Sequence, residues 1–189
     1  IVLASWPGVD TTPLATTIAL RVARQLLEDL NLGADPGTSR GAAVAYFSPK
    51  THAGELALLM LGQEVGIDCG ALRFGQALDD FQPLVMTSHN FAQVPLYIDD
   101  NPVVSILDLR ARARSLKRRH DVGLIVVDSL DLVRGMRGGA NETVTRTEVS
   151  QGLKSLAKEL SVPVIAMLQL PCESEDCGGA WPKLSDLKR

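Results

Sequence analysis

The stretch Ile1–Ala15, IVLASWPGVDTTPLA, holds the residues whose types and spacing come nearest to chemistry. A short apolar run, Ile1 to Ala4, leads into a Pro/Gly turn, and apolar residues at helical spacing follow at once. Strand, tight turn and helix N-terminus make a ready anion site, because backbone N–H groups converge there with the positive end of the helix dipole. The usual pattern is G-x-x-x-x-G-K-[ST], in which the lysine reaches the outer phosphates of a nucleotide and the hydroxyl reaches Mg²⁺. Laid on that frame, the candidate nucleotide-binding residues are Ser5, Trp6, Pro7, Gly8, Val9, Asp10, Thr11 and Thr12. Only Thr12 keeps the expected type: Ser5 stands for the first glycine, Asp10 for the second and Thr11 for the lysine. The place suits a phosphate cradle and the side chains do not.

The mismatch has a magnitude. Two unit charges at about 4 Å and near-surface dielectric interact by roughly 4 kcal/mol, so exchanging attraction for repulsion is costly even after screening. Asp10 also brings a Cβ where close backbone approach to phosphate is wanted, although Asp tolerates the left-handed conformation better than most residues.

The elements that must position this loop follow from periodicity. Leu14, Ile18, Val22, Leu26 and Leu30 recur every fourth residue, predicting a helix from about Pro13 to Leu30 with that stripe buried. Pro13 is tolerated in a first turn, where its missing N–H is not needed. Beyond the turn-rich stretch Asn31–Gly41, AAVAYFS (Ala42–Ser48) reads as a fully buried strand, continuously apolar as parallel sheets require. A helix is predicted from about Ala53 to Val65 with Leu56, Leu59, Met60 and Gln63 on related faces, then a short one holding Leu78, Phe81 and Leu84. VPLYIDD (Val94–Asp100) is a strand ending in two acids, and Ser105 caps a helix reaching Arg119. That helix is basic, with Arg110, Arg112, Arg114, Lys117, Arg118 and Arg119 above an apolar face of Ile106, Leu109, Ala113 and Leu116. A solvated face and a DNA-contacting one are both open, the former being the commoner use of such a run. GLIVVDS (Gly123–Ser129) is the strongest strand signal; a helix over about Thr147–Leu160 and a strand over Val162–Leu170 follow. Strands alternating with helices imply right-handed βαβ units and a mainly parallel sheet with helices on both faces, an α/β fold.

Bulk properties set bounds. At 189 residues the chain is expected to be one domain, and the missing initiator Met suggests a piece of something longer. Apolar residues make up 46% and aromatics 4%, which suits Val/Ile/Leu strands under Ala/Leu helices. A net charge of −3 gives no overall attraction for nucleic acid or anionic membrane, so any such binding must come from a local patch. No apolar run reaches bilayer-spanning length and no signal peptide is evident. Cys172 and Cys177 lie close together, but the three histidines are far away in sequence; reduced cytosolic thiols are the favoured reading.

With the segments placed, the chain resembles the C-terminal, RecA-type motor domain of the DnaB family of replicative DNA helicases. PLYIDDNPVVSILDLRARARSLKRRHDVGLIVVDSLDLV is similar to that family's strand, basic helix and Walker B strand in order. TRTEVSQGLKSLAKELSVPVIAMLQL is similar to the following helix and strand, WPKLSDLKR to the start of the last motif, and FSPKTHAGELALLML to the F-S-L-E-M-S segment. The resemblance covers the whole chain and implies a RecA-like P-loop NTPase fold, with ATP and Mg²⁺ as cofactors. It implies that Asp128 is the Walker B acid holding Mg²⁺ through water, that Thr12 is the hydroxyl ligand, and that Gln169 is the polar sensor of the γ-phosphate. Lys50 stands where the family carries the glutamate that activates the attacking water, and a protonated lysine cannot accept that proton. An ordinary surface lysine and a phosphate-binding charge from an unusual direction are both open for it.

The same resemblance implies a cytoplasmic homo-hexamer, single-stranded DNA in its channel, and partners among replication or helicase-loading proteins. The corresponding DNA loops are Arg134–Arg146, with Arg134, Arg137 and Arg146 as candidate contacts, and Pro171–Ala180, whose Glu173, Glu175 and Asp176 oppose such contact. The family's collar and linker would lie before Ile1, and its arginine finger and final strands beyond Arg189; without them a stable ring is not expected. The leading expectation is therefore a DnaB-like domain whose ATPase site has degenerated and which acts as a binding or regulatory module. The alternative is an active ATP-dependent 5'-3' DNA helicase with an atypical phosphate loop; a third is a structural module that never meets nucleic acid.

Overall fold

The computed structural model describes residues 1–68, 70, 72, 82–135 and 142–170, with positions 142–145 described by backbone alone. The strands are β1 (Val2–Ser5), β2 (Val44–Phe47), β3 (Leu96–Asp99), β4 (Val104–Ser105), β5 (Leu124–Val127), β6 (Val133–Arg134) and β7 (Val164–Gln169). The helices are α1 (Thr12–Asn31), α2 (Ala53–Val65), α3 (Gln82–Phe91), α4 (Ile106–His120) and α5 (Glu142–Leu160). Five strands form one sheet in the order β1-β7-β5-β2-β3, every pair parallel. β4 and β6 form a separate parallel pair that the periodicity did not announce, two residues being too short for a pattern.

Side-chain alternation along the strands sorts the core into two halves. Ala45, Phe47, Ile125, Val127, Ala166 and Leu168 pack toward α4 and α5, which supply Ile106, Leu109, Ala113, Val149, Leu153 and Leu156. Val44, Tyr46, Leu124, Val126, Ile165 and Met167 pack toward α1 and α2. The sheet is thus covered on both faces, as its unbroken apolar strands require.

The buried stripe of α1 differs from the expected one. Leu14 is 51% and Leu30 40% exposed, whereas Ala15, Ala19 and Ala23 are wholly buried with Thr12, Thr16 and Leu20 beside them. Small side chains let the helix axis approach the sheet closely, so the larger aliphatics fall to the flanks of the contact; a one-residue rotation of the face follows. Close approach also explains Gly41, where a Cβ would collide with the backbone of α1 at Val22, Gln25 and Leu26. In α2 the stripe holds at Leu56 and Met60, while Gln63 is exposed and serves as a polar clamp, donating to the Pro13 carbonyl at 3.1 Å and accepting from Thr16 Oγ1 at 3.3 Å.

α4 starts on a capping box: Ser105 Oγ accepts the Asp108 N–H at 3.1 Å and the Asp108 carboxylate reaches back to the Ser105 N–H. Its cations mostly meet acids. Arg112 grips Asp99 at 2.8 Å, and Arg110 and Arg114 both close on Glu159 of α5, so a good part of the basic run is spent on packing helix to sheet and helix to helix. α5 begins five residues earlier than its periodicity suggested. Leu78, Phe81, Arg137, Cys172, Cys177 and the stretch 171–180 lie outside the described residues.

Candidate functional site

The candidate site is a crevice at the carboxyl ends of β1, β7 and β5, where a strand inserted between β1 and β5 leaves a gap between successive crossovers. Open parallel sheets bind ligands at such points. Register brings Ser5 opposite Gln169 across β1 and β7, and the Leu170 N–H closes on the Ser5 carbonyl at 2.8 Å. Asp128 follows β5 directly, its N–H donating to the Phe47 carbonyl at 2.8 Å. The resulting cavity, about 40 Å³, is lined among others by Ser5, Thr11, Lys50, Asp128 and Gln169. That is room for a few waters. A larger hollow of about 370 Å³ lies along β1 and α5, lined by Val2, Leu130, Leu153, Ala157 and Val164; it is apolar and carries no comparable chemistry.

The turn from β1 to α1 is built as the sequence suggested. Gly8 sits at φ +88°, a conformation that a side chain would resist, and the Val9 N–H closes on the Trp6 carbonyl at 3.2 Å. Trp6 is half-buried against the core on the α4 side, while Pro7, Gly8, Val9 and Asp10 are exposed. Ser5 Oγ donates to the Val9 carbonyl at 3.1 Å, spanning the turn internally. Pro13 falls in the first turn of α1 and Thr11 is its N-cap, without a side-chain bond.

The phosphate end of the crevice contains an acid of the chain itself. Asp10 Oδ1 accepts the Thr12 N–H at 3.1 Å, the role an anion would take at a helix start, and Lys50 Nζ stands 3.3 Å from the same oxygen. Burial works to raise the Asp10 carboxyl; hydrogen bonding from Thr12 and the neighbouring Lys50 ammonium outweigh it and hold the group below the usual carboxylate range. The sequence showed both substitutions but not that they meet: a gain of negative charge in one loop and of positive charge in another, forty positions apart, was the available signal.

The metal end is different. Thr12 is 3% exposed, and its Oγ1 has no partner at hydrogen-bonding geometry among the described residues. Asp128 is 1% exposed and accepts the Tyr46 hydroxyl on Oδ2 at 3.0 Å. Burial first, then the Asp128 carboxylate, push the Tyr46 phenol above its ordinary value, so it remains a protonated donor. A hydroxyl and a carboxylate are the hard oxygen donors that Mg²⁺ takes. The metal end therefore fits the expected ion, while the phosphate end, with Asp10 in it and no lysine at position 11, does not fit a triphosphate. No group of three or more His, Cys, Asp or Glu suited to a metal occurs among the described residues.

Gln169 is exposed at the end of β7, and its N–H is held by Asp131 Oδ2 at 3.0 Å. The same carboxylate oxygen accepts from Ser129 Oγ at 3.0 Å, and Arg146 stands 3.6 Å from Oδ1. Of the candidate DNA contacts, Arg134 is exposed on β6 and Arg146 is half-buried against Asp131. Sequence reasoning missed Tyr46 and Asp131, since nothing in a strand interior marks a tyrosine as reaching Asp128, nor in a strand-end turn an acid as holding the Gln169 N–H.

A wholly parallel sheet ordered in this way, with a loop–helix turn on one strand and a buried acid on the next but one, is a RecA-like fold. Solved structures agree on the fold: one solved ATPase domain matches 99% of this chain and 62% of its own at a TM-score of 0.82 and 23% identity. A DnaB-like replicative helicase, described with its interactions with primase, matches 98% of this chain and 42% of its own at a TM-score of 0.78 and 22% identity. The chain belongs to the DnaB-like helicase C-terminal domain family, whose model matches residues 1–189. Curated relatives include the replicative DNA helicase DnaB of Rickettsia prowazekii, 33% identical over the whole of this chain and 38% of that protein. The DnaB of Geobacillus stearothermophilus is 35% identical over the whole chain and 39% of its own length. The chain thus spans somewhat over a third of the length of these relatives. No helix among the described residues is long and apolar enough to cross a membrane.

Proposed function

We propose that this DnaB-like domain keeps the motor scaffold but not ATP turnover, and serves as a binding or regulatory module within a replicative-helicase assembly. One observation carries the reading: Asp10, paired with Lys50, accepts the helix-start N–H that an outer phosphate would otherwise engage. Its negative charge opposes a triphosphate, no lysine follows it in the loop, and Lys50 at the position of the family's glutamate cannot serve as a general base. ATP and Mg²⁺ are the ligands that the family implies, and the Thr12–Asp128 end supports a metal preference more than a nucleotide preference.

Partners follow from the relatives. A domain of this kind would meet primase or a helicase loader, and other helicase subunits. Single-stranded DNA contact rests on Arg134, exposed on β6, and on Arg137 by its place in the sequence, while Arg146 of α5 stands against Asp131. The second reading, an active 5'-3' helicase, is favoured by the intact metal end alone.

The test is a titration of the longest natural form with fluorescent ATP and ADP, with and without Mg²⁺, beside a turnover assay on the wild type and Asp128→Ala. Weak nucleotide binding and no turnover above the variant are expected. ATP hydrolysis that vanishes in Asp128→Ala overturns the reading.

A further inference from the structure

We infer that Tyr46 is a positioning residue for Asp128: its hydroxyl occupies Oδ2 and leaves Oδ1 as the oxygen that the acid offers to the crevice. The inference rests on the proposed function only in taking Asp128 as the acid of the site.

Tyr46 is wholly buried among Val44, Leu124, Val126, Ile165 and Met167, a setting that a phenylalanine would fill equally well. A hydroxyl placed there must find an acceptor, and Asp128 Oδ2 at 3.0 Å is the one it has. The register explains how it reaches. Tyr46 lies opposite Val126, two residues before Asp128 and on the same face of the sheet, so the length of the phenol spans the step. β2 therefore grips the acid twice, through the Phe47 carbonyl on its N–H and through the Tyr46 hydroxyl on its side chain. Among the described residues no other donor reaches the Asp128 carboxylate. A buried carboxylate with one donor is free to choose another rotamer once that donor is gone. The charged groups facing it across the crevice are Lys50 and Asp10.

The experiment uses the full chain without nucleotide. Three-bond couplings about χ1 of Asp128 are expected to report one rotamer in the wild type and averaging in Tyr46→Phe, while the amide spectrum elsewhere keeps its dispersion. Ring packing survives in Tyr46→Phe, so a merely structural tyrosine leaves those couplings unchanged, and that result overturns the inference. Should Tyr46→Phe fail to fold, the Raman Fermi doublet of Tyr46 in a Tyr97→Phe background decides. It is expected to read as a strong donor, weakening in Asp128→Asn; a doublet indifferent to Asp128→Asn overturns the inference equally. Neither readout depends on ATP binding, so the proposed function and this assignment fail separately.

Discussion

Lys50 Nζ lies 3.3 Å from Asp10 Oδ1, so two opposite charges forty positions apart in sequence pair at the mouth of the candidate crevice. A cation from the end of β2 answers an anion from the start of α1. The crevice thus carries the chain's own charge pair beside it, next to a tight turn in which Gly8 sits at positive φ.

Removing the internal anion and restoring the lysine should reopen the cradle. The double variant Asp10→Gly, Thr11→Lys is expected to bind fluorescent ATP at least about tenfold more tightly than the wild type, about 1.4 kcal/mol. Adding Lys50→Glu should then introduce measurable hydrolysis that requires Mg²⁺. Unchanged ATP affinity in the double variant would mean that the electrostatics of this loop are not what limits binding.

The pair itself contributes little to the fold. Its side chains are 49% and 60% exposed, and exposed pairs are worth at most about 1 kcal/mol. Lys50→Ala is therefore expected to lower the melting temperature by no more than about 4 °C, on the scaling for domains of this size. A loss well beyond that would show Lys50 to be a structural residue and remove it from the site.

Much of this arrangement was legible in the chain, and the reasons divide cleanly. Continuous apolar strands and a Ser105–Asp108 capping pair are local signals, so β2, β5, β7 and the start of α4 could be placed from sequence. The buried face of α1 was not, because Leu14 and Leu30 look like core until Ala15, Ala19 and Ala23 are seen to decide how near the helix can sit. Asp128, Thr12 and Lys50 came from motif and resemblance, whereas the Tyr46–Asp128 and Lys50–Asp10 contacts arise through strand register and loop closure, which no window of residues encodes. The same holds for Asp131, whose grip on Ser129, Gln169 and Arg146 exists only once β5, β7 and α5 are assembled.

The close approach behind that α1 misreading makes its own prediction. A Cβ at Gly41 would enter the backbone of α1, which cannot yield without lifting from the sheet, so Gly41→Ala should destabilise by about 2–3 kcal/mol. Gly37→Ala, where a Cβ meets open space, should stay within about 0.5 kcal/mol. Chemical denaturation of both variants gives the comparison. Equal midpoints would mean that α1 is not held against the segment entering β2.

Helix α5 is tied to α4 by one acid, and acid titration should reveal it. Hydrogen bonds from Arg114 and then from Arg110 hold the Glu159 carboxyl down to about 2, against an ordinary value of 4.5. A depressed carboxyl stabilises the fold fully above its unfolded value and loses that contribution as pH falls through the folded one. The window is therefore between about pH 4.5 and pH 2. Asp10, Asp29, Asp100 and Asp108 are also held low, so the informative quantity is the difference between wild type and Glu159→Gln, in which those acids cancel. The variant should melt below the wild type at neutral pH, with the gap narrowing steadily from pH 4.5 downward and closing near pH 2. A gap that stays constant across that window would show that the two arginines do not favour the ionised form of Glu159 in the folded state.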